Sequence, residues 1–512
     1  MKIANIQSQR RVLVRWLTPV ATALGALLAG RADLPAQARP AAAPATAVVL
    51  QPCRVPGTAA DARCGTYEVF ENRQAGTGRK LLLNIMVLPA LQADAAPDPL
   101  LYLAGGPGEA ATPTAPFFLT PGWAGIRQHR DIVLVDQRGT GKSNPLTCSI
   151  SGVDASMRAL YAIDVADSTL QSCRRVLEQR ADLRLYTTPL AVDDLDEVRA
   201  ALGYDRINLY GGSYGTRTAF VYLRRHGTHV RSAVLRAIAP VDMKALLPQA
   251  RHLQQSLGGL IEDCARDANC SAQYPHIGQD LDAVLAKLAA GPVRMLTTHP
   301  RSGQPDSVAI TRDVFAGALS WMLASPEGRI AALPLIRRAA AGDYQPFLAA
   351  AKPMAVGAMA SWGLGMALTV LCSEDASQIT ERGIVTGTTG TFMGDGHVRN
   401  QIRSCREWPK GWLPPGEFTP VRSDVPILMI SGQYDPIDGL DLAEGAARLL
   451  PHALHVIVPH GTHQPQFPGC LLYVASRFLA QGSPRGLDVS CVQAIGAPAW
   501  PAASQQSRAP GD

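Results

Sequence analysis

Three kinds of feature are missing from this chain of 512 residues. It contains no Cys-x-x-Cys pair and no histidine at ligand spacing from a cysteine, so we expect neither a structural zinc site nor any other metal or cofactor. It has no internal repeat. A strong bias of charge is also absent, because the net charge is +6 and only about +2 of it lies beyond the first 38 residues. This balance gives no reason to expect nucleic acid or an anionic membrane as a partner.

The N-terminus has the pattern of an export signal. Its basic region precedes an apolar stretch of 14 residues, Trp16 to Ala29, which is too short to span a bilayer comfortably. Small residues at Ala36 and Ala38 suit a signal peptidase, so we expect residues 1–38 to be removed. The sequence then predicts a periplasmic or secreted protein without stable membrane association, and an uncleaved anchor is the alternative. The basic residues are Lys2, Arg10, Arg11 and Arg15.

Ten cysteines follow this signal. An even number in an exported chain indicates disulfides, although sequence alone leaves the connectivity open. The simplest hypothesis joins neighbours along the chain. These pairs are Cys53–Cys64, Cys148–Cys173, Cys264–Cys270, Cys372–Cys405 and Cys470–Cys491.

Strand-like and helix-like segments alternate through most of the chain. Short continuous apolar runs are typical of buried parallel strands, and the alternation predicts an α/β fold: a mostly parallel sheet with helices on both faces. Two further segments, 64–71 and 80–88, are interpreted as edge strands. The apolar runs are 100–104, 132–135, 207–210, 233–238, 425–430 and 454–458.

The alternation stops between two of these strands. Residues 241–417 are mainly helical in character and contain no strong buried-strand run, so we interpret them as a lid over the active site. An independent domain with its own ligand is the alternative. The other predicted segments are a linker at 39–47, a core in two parts at 48–240 and 418–494, and a disordered tail at 495–512.

Ser213 is the candidate nucleophile. It lies in Gly211-Gly212-Ser213-Tyr214-Gly215, directly after an apolar strand-like run and before a segment that can form a helix. Small residues at Gly211 and Gly215 permit the sharp turn that lifts a serine hydroxyl above a sheet edge. A purely structural turn is the alternative.

A serine hydroxyl needs a base to take its proton and an acid to orient that base. Asp435 follows the apolar run 425–430 in a short loop, and His463 follows the run 454–458, so both are expected at strand ends. Asp438 is the alternative acid, with Asp435 as a turn former, and His460 is the alternative base.

The developing oxyanion needs backbone N–H donors. We expect one from Tyr214, immediately after the nucleophile. The second is expected from Gly105-Gly106-Pro107-Gly108, which follows the run 100–104. Pro107 has no N–H, so Gly106 is the candidate, and the alternative is that these glycines only form a turn.

In this order the motifs resemble the secreted α/β-hydrolase peptidases of the prolyl aminopeptidase and tripeptidyl aminopeptidase group, with a TAP-like C-terminal region. The resemblance runs from about residue 50 to Cys491. The motifs that carry it are Gly105-Gly106-Pro107-Gly108, Asp136-Gln137-Arg138-Gly139-Thr140-Gly141-Lys142-Ser143, Gly211-Gly212-Ser213-Tyr214-Gly215-Thr216, Ser431-Gly432-x-x-Asp435-Pro436 and Gly461-x-His463.

The resemblance implies an α/β-hydrolase fold and a serine hydrolase that removes one to three residues from the free N-terminus of short peptides. It also implies a lid carboxylate that holds the substrate's ammonium, for which Glu374 is the first candidate and Asp375 the second. A solvated or arginine-paired carboxylate is the alternative for both. The chain departs from the family pattern at His226-Gly227, Leu235-Arg236-Ala237 and Ile437-Asp438-Gly439.

Three functions fit these residues. The first is an exported serine aminopeptidase that forms an acyl-enzyme on Ser213. The second is a carboxylesterase that uses the same three residues, because acyl-enzyme chemistry is common to both and the lid decides the substrate. The third is a binding protein that keeps the fold without catalysis.

Overall fold

The computed structural model describes residues 47–148, 167–299, 302–350, 362–463, 469–497 and 499–500. The predicted signal peptide, nearly all of the predicted linker and residues 501–512 of the predicted tail lie outside these residues. In the described part of the chain, no helix combines the length and apolar character needed to cross a membrane.

Eleven strands are described. They are β1 (Gln51–Arg54), β2 (Asp61–Phe70), β3 (Lys80–Leu88), β4 (Leu100–Leu103), β5 (Ile132–Val135), β6 (Ile207–Ser213), β7 (Val230–Ile238), β8 (Val293–Thr298), β9 (Pro305–Ile310), β10 (Ile427–Gly432) and β11 (Ala453–Val458).

Nine of the strands form one sheet in the order β1-β2-β3-β5-β4-β6-β7-β10-β11. From β5 to β11 all neighbours are parallel, whereas β1, β2 and β3 pair antiparallel with their neighbours. The predicted mostly parallel sheet is therefore present. Parallel strands bring their carboxyl ends to one edge, so the loops after β4, β6, β10 and β11 meet there.

The prediction that segments 64–71 and 80–88 are edge strands is wrong. β2 lies between β1 and β3, and β3 lies between β2 and β5. The sequence of the short strand β1 has no apolar pattern that would predict a strand. By pairing with β2, β1 covers the edge that β2 would otherwise expose. In β3 the buried residues Leu81, Leu83 and Ile85 alternate with less buried ones, a pattern that fits an interior strand with one face on the core.

Fifteen α-helices are described. They are α1 (Ala124–Arg127), α2 (Asp167–Glu178), α3 (Thr188–Ala201), α4 (Tyr214–His226), α5 (Gln249–Arg266), α6 (Ala268–Gln273), α7 (Ile277–Ala290), α8 (Arg312–Leu323), α9 (Pro326–Ala340), α10 (Leu364–Val370), α11 (Glu381–Thr388), α12 (Gly396–Ser404), α13 (Leu440–Ala447), α14 (Gly469–Gln481) and α15 (Ser490–Gln493).

Each face of the sheet has its own apolar core. Helices α2, α3, α4, α10 and α13 contribute to the core on one face, and α14 together with residues 115–126 contributes to the core on the other. Apolar burial of this extent is the main favourable term in folding, and it fixes the strand ends that carry the candidate site.

The lid segment 241–417 joins β7 to β10, which are neighbours in the sheet. Its helices α5 to α9 enclose a third apolar core. Beside these helices, the segment holds the antiparallel pair β8 and β9. That pair is largely exposed, so it lacks the continuous apolar run by which buried strands are recognised.

The second part of the lid segment differs from its predicted role. Met366, Leu368 and Val370 of α10, together with Trp408, are buried in the core against the main sheet. Gly365 allows this approach, because a Cβ there would lie 2.6 Å from the Leu177 side chain. The separate helical layer therefore comprises α5 to α9, and α10 is a component of the hydrolase core.

The predicted disordered tail also differs in part. Ile495 packs against the core beside α14, and Trp500 packs against the core of the lid helices, so the chain remains ordered at these residues. The low apolar content of residues 495–512 concealed these two contacts.

Five disulfides are present, and they join the neighbouring pairs given by the sequence hypothesis: Cys53–Cys64, Cys148–Cys173, Cys264–Cys270, Cys372–Cys405 and Cys470–Cys491.

Candidate active site

Ser213 is the last residue of β6, and helix α4 begins at the next residue. Its backbone has φ 54° and ψ −126°, a conformation that L-residues rarely adopt. A non-glycine residue in this region is strained by about 1–3 kcal/mol and is held there by its surroundings. The turn therefore has the conformation expected of a nucleophile elbow.

The elbow depends on two glycines for steric reasons. A Cβ at Gly211 would lie 2.6 Å from the carbonyl oxygen of Gly215, and a Cβ at Gly215 would lie 2.2 Å from that of Leu103. Real Cβ atoms do not approach backbone oxygens so closely. Glycine at both positions lets β6, α4 and β4 meet directly under Ser213.

The structure brings His463 and Asp435 together at the same edge of the sheet. Nδ1 of His463 lies 3.0 Å from Oδ1 and 3.1 Å from Oδ2 of Asp435. Asp435 Oδ1 also accepts hydrogen bonds from the backbone amides of Ile437 and Asp438, both at 2.9 Å. Burial lowers the pKa of His463, but the attraction of Asp435 more than offsets this effect, so the pKa is raised above its ordinary value.

The alternatives for acid and base occupy different positions. Oδ2 of Asp438 lies 3.7 Å from His463 Nδ1, so Asp435 makes the closer contact. His460 has a positive φ of 56°, and its Nδ1 lies 3.1 Å from Asp263 of α5. His460 thus links the loop after β11 to the lid.

The glycine loop after β4 is held by a residue that the sequence analysis did not single out. Trp362 Nε1 donates to the carbonyl oxygen of Pro107 at 2.5 Å, and Gly363 N donates to that of Gly108 at 2.9 Å. Gly106, with φ 108°, lies directly under this indole. No local pattern marks Trp362, because its role depends on a contact across more than 250 positions of the chain.

Tyr214 is the first residue of α4, so its amide has no carbonyl one turn earlier to bind. Its side chain points into the core, where its hydroxyl lies 2.8 Å from Thr188 Oγ1. The Tyr214 amide is thus held at the elbow by a well-anchored residue. Tyr214 and Gly106 remain the candidate donors for a substrate oxyanion.

The motif that begins at Asp136 supports this loop. The Asp136 carboxylate is buried and accepts hydrogen bonds from Thr112 and Asn84 at 2.8 to 3.0 Å. Arg138 is also buried and binds both carboxylate oxygens of Asp194, at 2.6 and 2.8 Å. These contacts are structural, and those of Asp136 hold Thr112, which lies four residues after the turn at 105–108.

Glu374 and Asp375 are both occupied by partners within the protein. Glu374 is 3% exposed and accepts from the amide and hydroxyl of Thr188, at 2.8 and 2.7 Å. Burial raises its pKa to about 7, although Arg217 opposes this shift. Asp375 is 2% exposed and forms a bidentate salt bridge with Arg217 at 2.8 and 2.9 Å. This geometry gives no support to their predicted role in binding an ammonium group.

Another carboxylate, that of Glu109, lies beside the glycine loop near the carbonyl oxygen of Gly212. Glu109 is exposed. Its Oε2 lies 3.2 Å from the position that a Cβ on Gly105 would occupy, and the carbonyl oxygen of Gly212 lies 3.4 Å from that same position. Within the described residues no hydrogen bond or salt bridge reaches this carboxylate, while Arg236, which packs against Gly212, is near enough to attract it. The sequence analysis missed Glu109 because its motif ended at Gly108.

One group of metal-type ligands occurs among the described residues, away from this edge of the sheet. Donor atoms of Asp196, His226 and His229 lie within 4.8 Å of one another. Arg199 Nε donates to Asp196 at 2.7 Å, and its NH2 lies 3.0 Å from His229 Nδ1. The guanidinium therefore supplies the positive charge of this cluster.

Comparison with known proteins identifies two family models in the chain. Residues 98–271 match the model described as alpha/beta hydrolase fold, and residues 391–491 match the one described as TAP-like protein. These ranges contain, respectively, the candidate nucleophile and the candidate acid and base.

Three curated relatives represent the similar proteins. Serine protease Hip1 of Mycobacterium tuberculosis is 26% identical over 298 residues, which are 53% of this chain and 55% of that protein. Tripeptidyl aminopeptidase of Streptomyces coelicolor is 31% identical over 27% of this chain and 28% of its own length. Proline iminopeptidase of Neisseria gonorrhoeae is 28% identical over 27% of this chain and 32% of its own length. The chain thus spans about half of the first relative and a third or less of the other two.

Proposed function

We propose that this chain, which belongs to the α/β-hydrolase fold and carries a TAP-like C-terminal region, is a serine peptidase that acts on short peptides with a free N-terminus. In this proposal Ser213 is the nucleophile, His463 the general base and Asp435 the acid that orients it. The observation that carries the proposal is the strained conformation of Ser213 at the sheet edge where His463 contacts Asp435.

The geometry suits acyl transfer. The hydrogen bond of Nδ1 to Asp435 fixes the tautomer of His463 and leaves Nε2 to take the proton of Ser213. The serine oxygen attacks the scissile carbonyl, and the amides of Gly106 and Tyr214 stabilise the oxyanion. His463 then protonates the leaving amine. Water then attacks the acyl-enzyme while His463 takes its proton, and collapse of the tetrahedral intermediate breaks the bond to Ser213, whose oxygen receives that proton from His463 as the acid product is released.

The relatives support a peptidase that works from the N-terminus, because one is named a tripeptidyl aminopeptidase and another a proline iminopeptidase. The five disulfides support an oxidising, exported location, which agrees with the predicted signal peptide. The proposed substrates are therefore short peptides outside the cytoplasm, from which one to three residues are released.

Glu109 is the better-placed group for the substrate's ammonium. It is exposed beside Gly212, whereas Glu374 is enclosed and occupied by Thr188. A peptide extends by about 3.3–3.6 Å per residue, so a carboxylate so close to the elbow favours an N-terminus one residue from the scissile bond. Within the proposed range, this position favours release of single residues over tripeptides.

The test is a comparison of substrates with the purified protein. Alanyl, prolyl and tripeptidyl p-nitroanilides are compared with short p-nitrophenyl esters, and Ser213→Ala is the control for background hydrolysis. The proposal expects kcat/KM for at least one free-amine anilide to exceed that of its N-acetylated form by tenfold or more. Efficient ester hydrolysis with no anilide hydrolysis would favour the carboxylesterase, and no Ser213-dependent turnover would favour a binding protein.

A further inference from the structure

Asp438 is a second buried carboxylate near His463. Because Asp435 already orients the imidazole, the proposed mechanism assigns no role to Asp438. Only 2% of it is exposed, and its Oδ2 has no hydrogen-bond partner among the described residues. A buried oxygen without a partner is costly, and in folded proteins such atoms concentrate where function requires them. The free oxygen of Asp438 is the one that lies 3.7 Å from Nδ1 of His463.

Four titratable or charged side chains surround Asp438 and influence its pKa. Its own loop presents Asp435, the loop after β11 presents His463, α5 of the lid presents His252, and α4 presents Arg217. Burial raises the pKa of Asp438 to about 7, and Asp435 adds to this shift, while the three cationic groups oppose it. A charge on Asp438 therefore favours the protonated form of the nearby His463 ring, and a charge on that ring favours the ionised form of Asp438.

We propose that Asp438 is a second acid for His463: a positioning residue that stabilises the imidazolium formed when Ser213 gives up its proton, and that can orient the ring when Asp435 is lost. This inference rests on the proposed function of Ser213 and His463, and it goes beyond that proposal by placing two carboxylates on the Nδ1 side of the base. It also gives a purpose to one departure of the sequence from the family pattern, Ile437-Asp438-Gly439.

The electrostatic consequence has a definite sign. An ionised Asp438 next to Nδ1 favours the charged ring and so raises the pKa of His463. Since the reaction needs the neutral ring, the acid limb of the kcat/KM profile lies at higher pH with Asp438 than without it. The isosteric change Asp438→Asn should therefore move that limb to lower pH, by about one unit for a charge at this distance.

The experiment measures kcat/KM from pH 5 to 9 for the wild type, Asp438→Asn, Asp435→Asn and the double variant. Asp424→Asn is the matched control, because Asp424 is exposed and lies before the opposite end of β10. The proposal expects the acid limb of Asp438→Asn to shift down by about one unit while the control stays at the wild-type position. It also expects the double variant to be at least tenfold slower than Asp435→Asn.

A nitrogen NMR titration of the His463 ring gives a readout that does not need turnover and that reports directly on the coupling. A lower His463 pKa in Asp438→Asn, in a variant that melts cooperatively, supports the proposal. An unchanged His463 pKa together with a double variant no slower than Asp435→Asn would overturn it. Failure of the proposed function is recognised separately, because the wild type itself would then show no Ser213-dependent turnover.

Discussion

Nδ1 of His463 lies 3.0 Å from Oδ1 of Asp435, and two backbone amides hold that same oxygen in place. An acid fixed in this way orients the imidazole and selects its tautomer. We expect Asp435→Asn to keep the fold and to lower kcat by more than tenfold, but by less than the loss of about 10⁴ known for the corresponding acid of other serine hydrolases, because Asp438 remains 3.7 Å from Nδ1 of His463. Steady-state kinetics, with circular dichroism as the check on folding, measures this. A loss of less than tenfold would exclude Asp435 as the principal acid.

The second prediction concerns the backbone at the elbow. A Cβ at Gly215 would lie 2.2 Å from the carbonyl oxygen of Leu103, and neither backbone can yield easily. We expect Gly215→Ala to lower the free energy of unfolding by about 1–3 kcal/mol or more and to abolish activity. Gly258→Ala is the matched control, because Gly258 lies in α5 with no atom within 4 Å of a Cβ. That variant should be as stable as the wild type or slightly more so, and equal melting temperatures for both variants would refute the steric argument.

The third prediction distinguishes the roles of the Glu109 and Glu374 carboxylates. Glu109→Gln should raise KM for free-amine anilides by about 10- to 100-fold, the loss expected for a charge-assisted hydrogen bond of about 1.5–3 kcal/mol. It should leave KM for the N-acetylated ester unchanged. Glu374→Gln should instead weaken the contacts to Thr188 and lower the melting temperature, without discriminating between the two substrates. The reverse pattern would restore Glu374 as the ammonium site.

The fourth prediction concerns the contact between the lid and the acid loop. His252 of α5 is buried, with Nε2 2.8 Å from Asp441 and Nδ1 3.0 Å from the carbonyl oxygen of Ile437. Burial lowers the pKa of His252, but these acceptors outweigh it and raise the pKa above its ordinary value. A raised pKa in the folded state means that protonation stabilises the fold at low pH, and that this contribution is lost as pH rises through the folded-state pKa.

We therefore expect His252→Asn to destabilise the protein most near pH 5.5 and progressively less above neutrality. Thermal melts of the wild type and the variant across pH 5 to 9 measure the difference. Asp441→Asn, which removes the exposed partner of the same contact, should show the same trend with a smaller amplitude. A gap that widens as pH rises would contradict this assignment.

Much of this site could be predicted because its signals are local. The apolar runs before Ser213, Asp435 and His463 show that each follows a buried strand, and parallel strands bring such residues to one edge. The five disulfides were equally accessible, since each joins cysteines that are neighbours along the chain.

Other features depend on distant partners, and these were not accessible from local patterns. Glu374 is enclosed by Thr188 from 186 positions earlier in the chain, so its exposure could not be inferred from Cys372-Ser373-Glu374-Asp375. The hydrogen bond from Trp362 to the carbonyl oxygen of Pro107 likewise joins residues that are far apart in the chain. Strand β1 pairs with the edge of β2, but its sequence lacks the apolar pattern from which a strand could be predicted.

The most direct test of the account is covalent labelling of Ser213. The purified protein is treated with a fluorophosphonate, the modified residue is located by mass spectrometry, and hydrolysis of alanyl and prolyl p-nitroanilides is followed in parallel. The account predicts one adduct, on Ser213, whose formation abolishes hydrolysis in proportion, and no adduct in Ser213→Ala. Anilide hydrolysis that persists in Ser213→Ala, or a folded wild type that stays unlabelled at Ser213, would contradict it.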